Sequence, residues 1–75
     1  MEISIKVGTA TAIFKNKAAF TDFITAHCRK DRTGRLFVGH GDALYFTYDP
    51  LSESDTAKIP PSILKRITKL KITRK

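Results

Sequence analysis

NKAAFTDFITAHC, residues 16–28, is the stretch that decides the fold. It runs without Gly or Pro and places Phe20, Phe23, Ile24 and His27 at i, i+3, i+4 and i+7. Two aromatic rings and an isoleucine thereby share one face of a helix, with Thr21 and Asp22 on the other. Asn16 is a good N-cap, since its side-chain oxygen can accept from an otherwise unpaired amide of the first turn. Lys30 lies where a cation suits the negative end of the helix dipole. The pattern predicts one main helix over residues 17–28.

Upstream, Ile3, Ile5 and Val7 alternate with Ser4 and Lys6, the period of a half-buried strand. Gly8-Thr9 suits a type II′ turn, which would return residues 10–14 as a second strand. A single strand bulged at Gly8 fits the same residues. Downstream, Asp31 to Gly34 reads as a turn. Arg35 to Val38 and Ala43 to Tyr48 then read as strands joined through Gly39-His40-Gly41-Asp42. Leu44, Phe46 and Tyr48 share one face of the second strand and Tyr45 and Thr47 the other, a pattern that places it near the centre of a sheet.

Asp49-Pro50 ends that strand. Ser52 and Asp55 suggest a weak capping box for one helical turn. Pro61 or Ser62 opens a short second helix, with Ile63, Ile67 and Leu70 at helical spacing. From Thr68 the period changes, Leu70 and Ile72 alternating with Lys69, Lys71 and Thr73 as in a strand. The expected fold is α+β: a small antiparallel sheet of four to five strands, helix 17–28 on one face and a short helix near the C-terminal end. A ferredoxin-like βαββαβ order is the alternative if residues 3–14 form one strand. In this core Phe20, Phe23 and Ile24 meet Ile5, Val7, Leu44 and Phe46, and Phe23→Ala would cost ~3–5 kcal/mol by leaving a cavity.

At 75 residues, 41% hydrophobic and 28% charged, the chain reads as one globular domain with a thin stability margin. A homodimer contact or a bound partner would add to that margin. Cys28 is the single cysteine, so no internal disulfide forms, and a reducing compartment is expected. Glu2 and Lys6 interrupt any apolar leader. The longest apolar run, Ala43 to Phe46, is far shorter than a membrane span. A cytoplasmic location is the simplest expectation.

Catalysis finds little support in the sequence. Adjacent helical residues point about 100° apart, so His27 and Cys28 cannot clamp one ion from a single face, and no second Cys or His pair completes a zinc site. Cys28 reads as a small buried hydrophobe and His27 as a core or boundary residue. The Gly39–Asp42 loop lacks the Lys-Ser/Thr ending of a phosphate-binding loop. His40 and Asp42 stand close enough to pair, but without a nucleophile they make no triad. No enzyme activity, metal or cofactor is expected.

Charge carries the functional reading. Residues 58–75 hold seven Lys or Arg and no acid, while residues 36–57 hold four acids and no base, within a formal net charge of +7. A segregated positive field attracts polyanions. Two clusters stand out: Arg29, Lys30, Arg32 and Arg35, then Lys65, Arg66, Lys69, Lys71, Arg74 and Lys75. If the terminal strand joins the sheet, the clusters flank one surface, with Tyr45 or Tyr48 available for base stacking. The leading expectation is a small basic protein that binds DNA or RNA through phosphates. The competing expectation is a compact interaction module or inhibitor docking on a larger protein with an acidic surface, through apolar residues around Leu36, Tyr45 or Leu51. Chains this small, disulfide-free and motif-poor are typical of phage or mobile-element accessory proteins. Membrane-surface attachment through residues 63–72 is disfavoured, because Pro60-Pro61 and the change of period leave no long amphipathic helix.

Overall fold

A computed structural model describes residues 2–70. The chain is α+β, and its described residues form six strands and three helices. Strands β1 (Ile3–Val7) and β2 (Ala10–Phe14) form an antiparallel hairpin in which Val7 pairs with Ala10 and Ile3 with Phe14. Gly8 makes the turn with φ of 65°, and no described residue other than glycine has positive φ, which is the φ pattern of a type II′ turn. The hairpin, not the bulged strand, is therefore formed, and the βαββαβ order does not occur.

Helix α1 (Lys17–His27) begins where Asn16 accepts a hydrogen bond from the Ala19 amide at 2.8 Å. It ends one residue earlier than the periodicity suggested, because Cys28 is already extended, at φ −95° and ψ 141°. Cys28 opens β3 (Cys28–Lys30), which lies between β4 (Leu36–Gly41) and β6 (Thr68–Lys69). With β5 (Phe46–Pro50) outside β4, the second sheet has the order β5-β4-β3-β6. The β3–β6 pairing is parallel, so the strands divide into an antiparallel hairpin and a mixed four-stranded sheet, where one antiparallel sheet was expected.

Two short helices, α2 (Glu53–Thr56) and α3 (Pro61–Leu64), connect β5 to β6. Pro61 stands in the first turn of α3, where its missing amide is no loss. The core draws on both sheets, on α1 and on the α2–α3 connection: Ile5, Phe20, Ile24, Cys28, Leu36, Val38, Leu51, Ile59, Ile63 and Ile67 are buried. Phe14, Phe23 and Val7 pack at its rim. Ile63 and Ile67, the residues that a membrane-attached segment would expose, belong to this core.

The region 43–48 departs from expectation. Leu44 is 91% exposed and Phe46 57%, so neither joins Phe20 and Ile24 in the core. The hairpin turns later than Gly39–Asp42, over residues 42–45. The Asp42 amide donates to the Tyr45 carbonyl at 2.7 Å, and the Asp42 carboxylate accepts from the Leu44 and Tyr45 amides. Gly41 has φ of 125°, and a Cβ there would lie 1.9 Å from the Tyr45 carbonyl oxygen. The side-chain turn at Asp42 thus overrides the β-rich composition of Ala43 to Phe46, and β5 becomes an edge strand.

Side chains close the outer edge of β1. Asp55, 6% exposed, accepts from the Lys6 amide at 2.9 Å and pairs with the Lys58 ammonium at 3.1 Å. Lys58 in turn donates to the Ser4 carbonyl at 2.6 Å. Ser52 caps α2 through the Asp55 amide, but the Asp55 side chain reaches β1 and so completes no capping box. Burial pushes the Asp55 carboxyl up, yet the Lys6 amide, Lys58 and the Ser52 hydroxyl outweigh it and hold the group below its ordinary value. A depressed folded value means stability that is present above the unfolded carboxylate range and lost as pH falls through the folded one. We expect Asp55→Asn to lower stability at neutral pH by on the order of 1–2 kcal/mol. Urea titrations between neutrality and strong acid should also show a shallower loss of stability for the variant; an unchanged acid slope would mean Asp55 is not the responsible carboxylate.

Candidate nucleic-acid interface

The β3–β6 ladder brings the two basic clusters together. Arg29 partners Thr68 and Lys30 partners Lys69, and the Leu70 amide extends the pairing to the Lys30 carbonyl at 2.7 Å. Lys30 and Lys69 are thus side-by-side cations in one ladder, an arrangement that costs stability unless an anion lies between them. Among the described residues, no carboxylate forms an ion pair with Arg29, Lys30, Arg32, Arg35, Lys65, Arg66 or Lys69; the described pairs are Lys58 with Asp55 and His40 with Asp49.

Local structure fixes where the remaining cations sit. Asp31 organises the β3–β4 turn: its carboxylate accepts from the Thr33 hydroxyl at 2.7 Å and from the Thr33 and Arg35 amides at 2.9 Å. The Thr33 hydroxyl, opposed by slight burial and assisted by the surrounding amides, holds the Asp31 carboxyl below its ordinary value. The turn leaves Arg32 and Arg35 exposed beside the Lys30–Lys69 end of the ladder. Arg29 is more constrained, its guanidinium donating to the Cys28 and Ala26 carbonyls at 2.8 and 3.3 Å, at the C-terminal end of α1. Lys65 and Arg66 are exposed in the turn after α3, ahead of β6. Lys71, Arg74 and Lys75 lie outside the described residues.

Tyr45 does not stand between the clusters. It is 85% exposed in the β4–β5 turn, separated from Arg35 by the length of β4, roughly 17 Å at strand rise. The aromatic residues nearer the cations come from the sheet itself. Directly opposed residues point to the same face. Val38 opposes Cys28 and Asp49 on the core side, whereas Phe37 opposes Arg29 and Pro50 on the outer side. Gly39 and Gly41, opposite Tyr48 and Phe46, complete that outer face. The Phe46 and Tyr48 rings meet edge to face at 5.3 Å, and the Arg35 guanidinium lies 5.9 Å from the Phe37 ring centre. The sequence reading placed Phe46 in the core and overlooked Phe37; the signal was the alternation of Leu36 and Val38 against Phe37, Gly39 and Gly41.

The other candidates resolve simply. His40 pairs with Asp49, two positions along from its cross-strand partner Thr47, and not with Asp42. Gly8 lies against that pair: a Cβ on it would come 2.8 Å from the His40 ring. Cys28 is fully buried, and burial pushes its thiol up to about 11, which keeps it protonated and unreactive. His27 is exposed, with its ring against Phe23 at 4.7 Å. Leu36 and Leu51, expected on a docking surface, are 5% and 4% exposed and belong to the core. No helix among the described residues is long and apolar enough to cross a membrane. Compared with family models, curated proteins and solved structures, the chain finds no match.

Proposed function

We propose that the chain is a small nucleic-acid-binding protein without catalytic activity, which contacts phosphates through Lys30, Arg32, Arg35 and Lys69, with Lys65 and Arg66 extending the patch. The observation that supports this reading is the pairing of Lys30 with Lys69 in one ladder, with no carboxylate ion-paired to either among the described residues. A phosphate is the ligand that turns this repulsion into attraction, and a row of them supplies affinity that needs no base sequence.

Fluorescence anisotropy of labelled single- and double-stranded oligonucleotides, titrated at about 50 and about 200 mM salt, tests the reading. The expected result is binding that weakens by one or more orders of magnitude across that range. No binding at the lower salt ends the proposal. Exposure of Leu44, Tyr45 and Phe46 at one tip, 91%, 85% and 57%, favours a second reading, docking on a larger protein. Contact through that tip would survive high salt and be lost on replacing Leu44 and Tyr45 by Ser.

A further inference from the structure

We infer that the outer face of the four-stranded sheet seats the bases of a single strand, so that the ligand class is unpaired RNA or DNA and not a duplex. The inference rests on the proposed phosphate contacts and specifies what lies beside them. Three observations carry it. Phe37, Tyr48 and Phe46 share this face by register, and none of them belongs to the core or packs against it. The Phe46 and Tyr48 rings lie over Gly39, where a Cβ would stand 2.7 Å from Phe46 Cζ and 2.8 Å from Tyr48 Cε1. The missing side chain lets both rings close over Gly39 while they meet each other edge to face.

The third observation is charge complementarity. Arg35 sits over Phe37 at 5.9 Å on this face, beside the turn that carries Arg32. Lys30, opposite buried Leu36, and its partner Lys69 belong by register to the other face at the same end of the sheet. A base on the aromatic surface therefore has its own phosphate within reach of a cation. A duplex conceals its base faces in its own stack and gains nothing from such a surface, whereas an unpaired strand can use both parts.

The probes are a fluorescent oligothymidylate of about a dozen nucleotides, an abasic deoxyribose-phosphate strand of equal length and charge, and a duplex, all at about 50 mM salt. The thymidylate should bind roughly tenfold or more tightly than the abasic strand. Phe37→Leu and Tyr48→Leu, which keep apolar bulk and remove the ring face, should bring thymidylate affinity down toward that of the abasic strand while the melting temperature holds. Equal affinity for the thymidylate and abasic strands overturns the base-stacking inference and leaves the phosphate reading intact. Absence of binding by every probe overturns the phosphate reading itself. Tighter binding to the duplex than to the thymidylate also sinks the inference.

Discussion

Phe20→Ala is expected to leave most of the population unfolded. Phe20 is 1% exposed and its ring meets the Phe14 ring edge-on at 5.5 Å, so it ties α1 to the β1–β2 hairpin. Truncation removes a buried ring and leaves a cavity that rigid neighbours fill poorly, at ~3–5 kcal/mol. A core of this size supplies a margin of similar magnitude, about 3–5 kcal/mol. Phe23→Ala should cost visibly less, because Phe23 is half-buried at the rim, between Phe14 at 5.0 Å and His27 at 4.7 Å. Urea denaturation followed by circular dichroism ranks the two. The reverse order would mean that the helix presents a different face to the sheet.

Lys69→Glu should raise stability and lower affinity for nucleic acid together. It turns the Lys–Lys ladder pair into one of opposite charge, with the new carboxylate beside Lys30, and opposite-charge pairs at such positions contribute about 0.2–1 kcal/mol. The same change removes one cation from the patch and repels phosphate, on the order of 1–2 kcal/mol and so roughly tenfold in affinity. Lys30→Glu should behave alike. Combining the two restores a like-charge pair, so the stability gain disappears while affinity falls further. Calorimetric melting and anisotropy on the same samples separate these effects. A variant that is more stable yet binds as the parent does would assign the Lys–Lys pair no part in binding.

Much of the fold was legible because local signals agreed with tertiary demand. Asn16 capped the helix, Gly8-Thr9 turned the hairpin and Pro61 opened the last helix, as side-chain chemistry at those positions requires. Cys28–Lys30 was not legible as a strand: three residues carry no period, and their extended form comes from pairing on both sides with segments distant in sequence. The 43–48 region misled for a different reason. Ala43-Leu44-Tyr45-Phe46 has the composition of a buried strand, but the Asp42 carboxylate takes two amides of this segment and holds it as a turn. That shift of the turn moved Phe46 onto the exposed face. The basic clusters were visible as charge. Their meeting was not, since the Lys30–Lys69 register depends on how α2 and α3 return the chain.

One strand edge of this protein is closed by chemistry that can be switched off. The Lys6 amide on the outer side of β1 is held by the Asp55 carboxylate, and Lys58, which takes the Ser4 carbonyl beside it, is itself anchored by Asp55. A backbone neighbour would protect that edge at any acidity, whereas a carboxylate protects it only while ionised. Protonation of Asp55 therefore does more than loosen one ion pair: it weakens the hold on the Lys6 amide and the Ser4 carbonyl, which become available to the next molecule. At this edge of β1, resistance to self-assembly rests on one aspartate.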